Sequence, residues 1–239
     1  MDSSIEKAEK NKSFRFLYPL SIILGVLFFD QLLKIYVKLN FILGEEYRVA
    51  GDWFIIHFTE NPGMAFGMEF GGGYGKLLLT SFRLIAAIFG VWYIRKIILE
   101  NQHKGYIATV CLIFAGAVGN IIDSVFYGVI FSESNFQLAE FLPADGGYAG
   151  WLHGKVVDMF YFPLVNGTFP DWFPVWGGEP FQFFRPVFNL ADMSISTGVG
   201  IFWLFHKRFF PQEDKDKSGS SLSETKDETS PEDNKSIKD

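Results

Sequence analysis

The chain has 239 residues, of which 49% are hydrophobic, 18% aromatic and only 20% charged, with a formal net charge of −6. Such an apolar and aromatic share is high for a water-soluble domain and points to a membrane protein with polar ends. A single cysteine, Cys111, excludes a disulfide within the chain and any cysteine-based metal site.

In chain order, a basic N-terminus (Lys7, Lys10, Lys12, Arg15) precedes an apolar run over about 16–37. The run is too long for the apolar core of a cleaved signal peptide, contains Asp30 and Lys34, and is followed by no small-x-small cleavage site. It therefore predicts a retained helix. The connection 38–76 contains "DWFIIHFTENPGMAFGM", whose alternation predicts a short strand or two, with "NPG" as a turn. Further apolar runs over about 77–99, 106–130 and 187–205 each approach the ~20 residues a bilayer crossing needs. Between the last two lies 131–186, rich in Phe, Trp and Pro. Its prolines forbid one continuous helix, and its aromatic residues suit a platform at the outer membrane–water boundary. The final segment 211–239 holds nine acids, five bases and almost no apolar residues, and is expected to be a disordered, solvated extension.

Basic residues cluster at the N-terminus, at Arg95, Lys96 and Lys104 between the second and third runs, and at Lys207 and Arg208 after the fourth. With four spans these fall on one side, which the positive-inside rule places in the cytoplasm. The connections 38–76 and 131–186 then lie outside. The expected fold is an all-α membrane bundle over residues 1–210. It has four transmembrane helices and a small extracytoplasmic β-rich element, followed by the acidic cytoplasmic tail 211–239. The four histidines, 57, 103, 153 and 206, show no zinc-binding spacing, and no metal or other cofactor is expected.

Ionisable residues inside spans are costly, so they mark function or internal pairing. Asp30 and Lys34, spaced i, i+4, can pair on one helix face. The pattern Asn-x-x-Asp occurs twice, in "GNIID" (Asn120, Asp123) and "FNLAD" (Asn189, Asp192), and residues three apart on a helix share a face. An amide beside a carboxyl orients it and relieves its desolvation. Ala115, Gly116, Ala117 and Gly119 before the first pair permit close helix approach. At 1.5 Å per residue Asp123 lies about 26 Å past Tyr106 and Asp192 about 7 Å past Val187, both near the outer boundary. Two carboxyls held about 3 Å apart share a proton and supply one acid and one base near neutral pH, as aspartyl peptide hydrolysis requires. From spacing alone the pair is Asp123 and Asp192. Proton or cation transport, and purely structural pairing, use the same residues.

The ordered motifs "DQLLK" (Asp30, Gln31, Lys34), "NPGMAFG" (Asn61, Gly63, Ala65, Phe66, Gly67), "GAVGNIID", "VVDMF" and "FNLAD" together resemble those of lipoprotein signal peptidase, or signal peptidase II. The resemblance implies a membrane aspartyl endopeptidase that removes the signal peptide of a prolipoprotein before a diacylglyceryl-modified cysteine. It also moves the reacting pair: its motifs assign catalysis to Asp158 and Asp192. Asn61, Gly63, Ala65, Asn120, Asp123 and Asn189 then become supporting or substrate-binding residues, and Asp30 and Lys34 hold the first helix in place. Two departures stand out. The family's Arg after the third motif is Ser124 here, for which Arg83 is a candidate substitute, and the segments flanking Asp158 are longer than the family's. The implied setting is the bacterial cytoplasmic (inner) membrane, with both termini cytoplasmic and the active site near the outer leaflet. The expected partners are the lipidated substrate and membrane lipid, with no nucleic acid, and the protein is expected to be a monomer. A transporter is the main competing class; the absence of an inverted repeat and of a broken helix pair argues against it.

Overall fold

The structure is a computed structural model that describes residues 2–63, 72–183 and 186–210. Among these residues four long helices form the body: α1 (Asp2–Asn40), α2 (Gly72–Leu99), α3 (Lys104–Ile122) and α4 (Leu190–Phe209). Three stretches, Arg15–Asn40, Tyr74–Leu99 and Lys104–Ile130, are long and apolar enough to cross a membrane. Helix α4, 20 residues long, carries Asp192 in its first turn and His206, Lys207 and Arg208 in its last.

The helices turn apolar groups outward and ions inward. Leu24, Phe28, Phe29 and Leu32 on α1, and Leu78, Phe82, Ile85 and Ile88 on α2, are exposed, whereas Asp30, Lys34, Lys38 and Asp123 are fully buried. In water this distribution would be costly; against lipid tails it is the expected one. Close helix contact depends on small residues. A Cβ on Gly116 would lie 2.3 Å from the Ala191 carbonyl oxygen, and one on Gly119 would lie 2.7 Å from Asp30 Oδ2. Their absence lets α4 and α1 seat directly on α3.

The third span is not one regular helix. After Ile122 it opens into a π-helical turn, Asp123–Tyr127, then closes with the turn Gly128–Ile130. The loop 149–154 takes up its free carbonyls: Ala149 N donates to Gly128 O (2.8 Å), Leu152 N to Val125 O (3.1 Å) and Gly154 N to Ser124 O (2.9 Å). Irregular backbone at this depth is tolerated because protein, not lipid, satisfies it.

Among the described residues six strands accompany the helices, so the all-α label needs amending. Strands β1 (Glu46–Ala50), β2 (Phe54–Asn61), β3 (Val156–Tyr161) and β6 (Val187–Phe188) form one antiparallel sheet in the order β1-β2-β3-β6. Strands β4 (Val165–Thr168) and β5 (Pro180–Phe183) form a separate hairpin. β3 was not expected as a strand, because its first four residues are all buried and leave no alternation to read. The helix boundaries shift too: α2 starts at Gly72, before 77, and the fourth apolar run begins as strand β6 and becomes helical only at Leu190. Ala65 and the tail 211–239 lie outside the described residues.

Candidate active site

Asp192 and Asp158 reach the site from different elements. Asn189 is the residue before α4. Its side-chain Oδ1 accepts from Asp192 N (3.0 Å), and its own N donates to Asp192 Oδ2 (3.3 Å). This reciprocal pairing of the cap with the third helical residue is a capping box, and it gives the Asn-x-x-Asp spacing here a local cause: it starts the helix. Asp158 stands on β3 opposite Thr59 of β2, and is 4% exposed.

Asn189 also links the two acids. While its backbone and Oδ1 hold Asp192, its Nδ2 donates to Asp158 Oδ1 (2.7 Å), Val157 O (3.2 Å) and Asn120 Oδ1 (3.1 Å). Asn120 on α3 completes the group by donating Nδ2 to Asp192 Oδ1 (2.9 Å). Both carboxyls line a cavity of about 570 Å³ that runs between α2, α3 and α4 past Ala87, Gly90 and Ile113. Burial, and then the neighbouring Asp192, push the Asp158 carboxyl up to about 7, against the donors Asn61 and Asn189 and the charge of Lys34.

Asp123 is occupied elsewhere. Lys34 Nζ sits 3.0 Å from Asp30 Oδ2, 2.9 Å from Asp123 Oδ2 and 2.8 Å from Asn120 Oδ1. Gln31 Nε2 donates to Asp30 (3.1 Å) and Asp123 (3.0 Å), and Gln31 Oε1 accepts from Tyr127 Oη (3.1 Å). Both carboxylates also take a backbone donor: Val157 N to Asp123 Oδ2 (3.2 Å) and Ala191 N to Asp30 Oδ1 (2.9 Å). These two bonds tie β3 and the start of α4, the segments that carry Asp158 and Asp192, to α1 and α3. Asp123 thus braces the strand beside Asp158 and is absent from the lining of the cavity.

Asn61 and Gly63 also reach the cavity. Asn61 Oδ1 accepts from Gly63 N (2.8 Å), and Gly63 adopts φ +89°, a backbone angle that favours glycine. Arg83 Nη2 donates to Gly63 O (2.8 Å), and Arg83 is the one cation among the described residues lining the cavity. Ser124 is buried and its hydroxyl donates to Asn120 O (2.9 Å) within the π turn, so no side chain there enters the site.

A second buried ionic group was missed in the sequence. Lys38, fully buried, pairs with Glu60 and donates to Ser134 Oγ (2.7 Å), and Lys155 Nζ lies 2.9 Å from Glu60 Oε2. Burial alone would raise the Glu60 carboxyl, but Lys38 and Lys155 outweigh it and hold the carboxyl below its usual range. The group anchors β2 and the loop before β3 to the end of α1. A signal existed: Asp30, Lys34 and Lys38 recur every four residues along one helix face.

The chain is similar to known proteins in sequence and in fold. The family model for signal peptidase (SPase) II matches residues 22–208. A lipoprotein signal peptidase of Porphyromonas gingivalis is 52% identical over 180 residues, covering 75% of this chain and 78% of that protein. The lipoprotein signal peptidase of Amoebophilus asiaticus is 40% identical, covering 72% and 70%. In fold, the chain is similar to a bacterial membrane enzyme solved by the in meso method at 2.3 Å resolution, with a TM-score of 0.52 and 23% identity over 82% of this chain and 92% of that one. With a family model spanning most of the chain and a relative 52% identical over 75% of it, the chain belongs to the signal peptidase II family.

Proposed function

We propose that this membrane protein removes the signal peptide of lipoproteins by aspartyl hydrolysis, with Asp158 and Asp192 as the reacting pair. The observation that carries the assignment is Asn189, whose one side chain and backbone hold both carboxyls at the mouth of a cavity between helices. One carboxylate takes a proton from water, whose oxygen attacks the scissile carbonyl carbon. The other, protonated, gives its proton to the carbonyl oxygen. The C–N bond then breaks as the first acid protonates the leaving nitrogen and the second recovers its proton from the diol. Asn61, Gly63, Ala65, Asn120, Asp123 and Asn189 support the pair or bind substrate backbone, Asp30 and Lys34 hold α1, and Arg83 replaces the guanidinium absent at Ser124.

The cut falls before the diacylglyceryl cysteine, and the lipid enters laterally through the apolar cavity. Helix α4 is the fourth span; its 20 residues cover about 30 Å. Both termini, and with them the tail 211–239, lie in the cytoplasm of a bacterial inner membrane, a reading supported by the basic ends of the spans. The sheet and the site lie toward the outer leaflet, and the protein acts as a monomer. Asp158→Asn and Asp192→Asn, purified into liposomes and given a diacylglyceryl-modified prolipoprotein, should each fold yet leave the substrate uncut. Normal processing by either variant would overturn the assignment.

A further inference from the structure

The two acids of the pair have unlike surroundings. Asp192 lies in the first turn of a 20-residue helix, where free N–H groups and the helix dipole favour a negative charge. It accepts from Asn120 Nδ2 and from the Asn189 backbone, both donors that prefer an ionised acceptor. The Arg83 guanidinium lines the same cavity and interacts with it electrostatically. Asp158 also accepts an amide donor, Asn189 Nδ2, but it lies mid-strand at 4% exposure, away from a helix N-terminus, and the Lys34 charge that reaches it is shared with Asp30 and Asp123.

The other charges around the site do not reverse this contrast. The Lys34 ammonium on α1 acts on Asp158, but its donors are spread over Asp30, Asp123 and Asn120. Its charge is matched locally by Asp30 of α1 and Asp123 of the π turn. On β2, Glu60 turns to Lys38 and Lys155, and His57 to Glu46. From α2, Arg83 alone lines the cavity as a charge, and it interacts with Asp192.

We propose that Asp192 is the ionised member of the pair and the base toward water, that Asp158 is the protonated acid, and that Arg83 is the positioning residue that keeps them so. The inference rests on the dyad reading above and deepens it. The cycle then has one direction. Asp192 accepts the proton of the attacking water, Asp158 gives its proton to the carbonyl oxygen, Asp192 hands its proton to the leaving nitrogen, and Asp158 regains one from the collapsing diol. Arg83 acts at a distance from the reacting atoms, through the charge of Asp192 and through its bond to Gly63 O.

Infrared difference spectroscopy of the purified protein reads the proton directly. The C=O stretch of a neutral carboxyl should be present at pH 6, titrate away around pH 7, vanish in Asp158→Asn and persist in Asp192→Asn. A band that survives in Asp158→Asn and vanishes in Asp192→Asn overturns the proton assignment. A band lost in neither variant, together with normal cleavage by either, removes the dyad itself. For Arg83 the readout is the acid limb of the kcat/KM profile. Arg83→Gln should move it up by about one pH unit, and Arg83→Lys should restore it. An acid limb unmoved or lowered in Arg83→Gln overturns the role of Arg83 while leaving the dyad standing.

Discussion

Replacing Lys34 by Met tests how far the bundle depends on its buried ions. The Lys34 side chain is fully buried and meets two equally buried carboxyls, Asp30 at 3.0 Å and Asp123 at 2.9 Å. Methionine keeps the length and removes the ammonium, leaving both acids with only Gln31 and one backbone donor each. Breaking a buried pair by deleting one partner costs about 3–5 kcal/mol. For a body of this size that lowers the thermal midpoint by roughly 6–20 °C. The assay is thermal unfolding in detergent, run as a double-mutant cycle with Asp123→Asn. The double variant removes one of the stranded charges and should recover at least half of the loss. Cleavage should stay impaired in both, because Lys34 also holds Asn120 Oδ1, and Asn120 holds Asp192. A Lys34→Met protein as stable as the parent, or a double variant no better than the single, would refute the reasoning.

Asn189→Ala removes the side-chain bonds to Asp158 Oδ1 and from Asp192 N; at about 0.5–1.5 kcal/mol per neutral bond, kcat/KM should fall by about 10-fold, measured on lipidated peptide. The Asp158 carboxyl is raised from 3.8 to about 7, so the stability contributed by its neutral form is complete below about pH 4 and is lost as pH rises through 7. That loss amounts to about 4 kcal/mol relative to Asp158→Asn, and thermal midpoints of the two proteins compared across pH 4–8 should show it. Gly154→Ala would place a Cβ 2.0 Å from the Asp123 carbonyl oxygen; the loop must shift, costing about 1–3 kcal/mol, and both the unfolding midpoint and activity should drop.

Much of this was legible in the sequence. Length and apolarity mark the first three spans, and i, i+4 spacing pairs Asp30 with Lys34 as found. The spacing of Asn189 and Asp192 was visible, but its cause was not: a capping box requires knowing that the helix begins at Leu190. Asp158 was the hardest residue to place from physics alone. It sits in a run buried on both faces, where period-two alternation disappears, and only the ordered motifs singled it out. The π turn left no trace in the apolar pattern, since one extra residue per turn hardly disturbs a segment that is apolar all round. The Lys38, Glu60 and Lys155 group joins residues far apart in sequence, and only the β2–β3 pairing brings them together.

The capping box at Asn189 has a bearing on biogenesis. As the polypeptide leaves the ribosome, α1, the sheet strands β1 to β3 and α3 are made first, with Asp158 already among them. Its companion acid and the amide that joins the two arrive only with the last helix, which must insert and dock on α3 before the pair exists. On the proposed dyad, a half-synthesised chain would be hydrolytically silent until its final segment locks home.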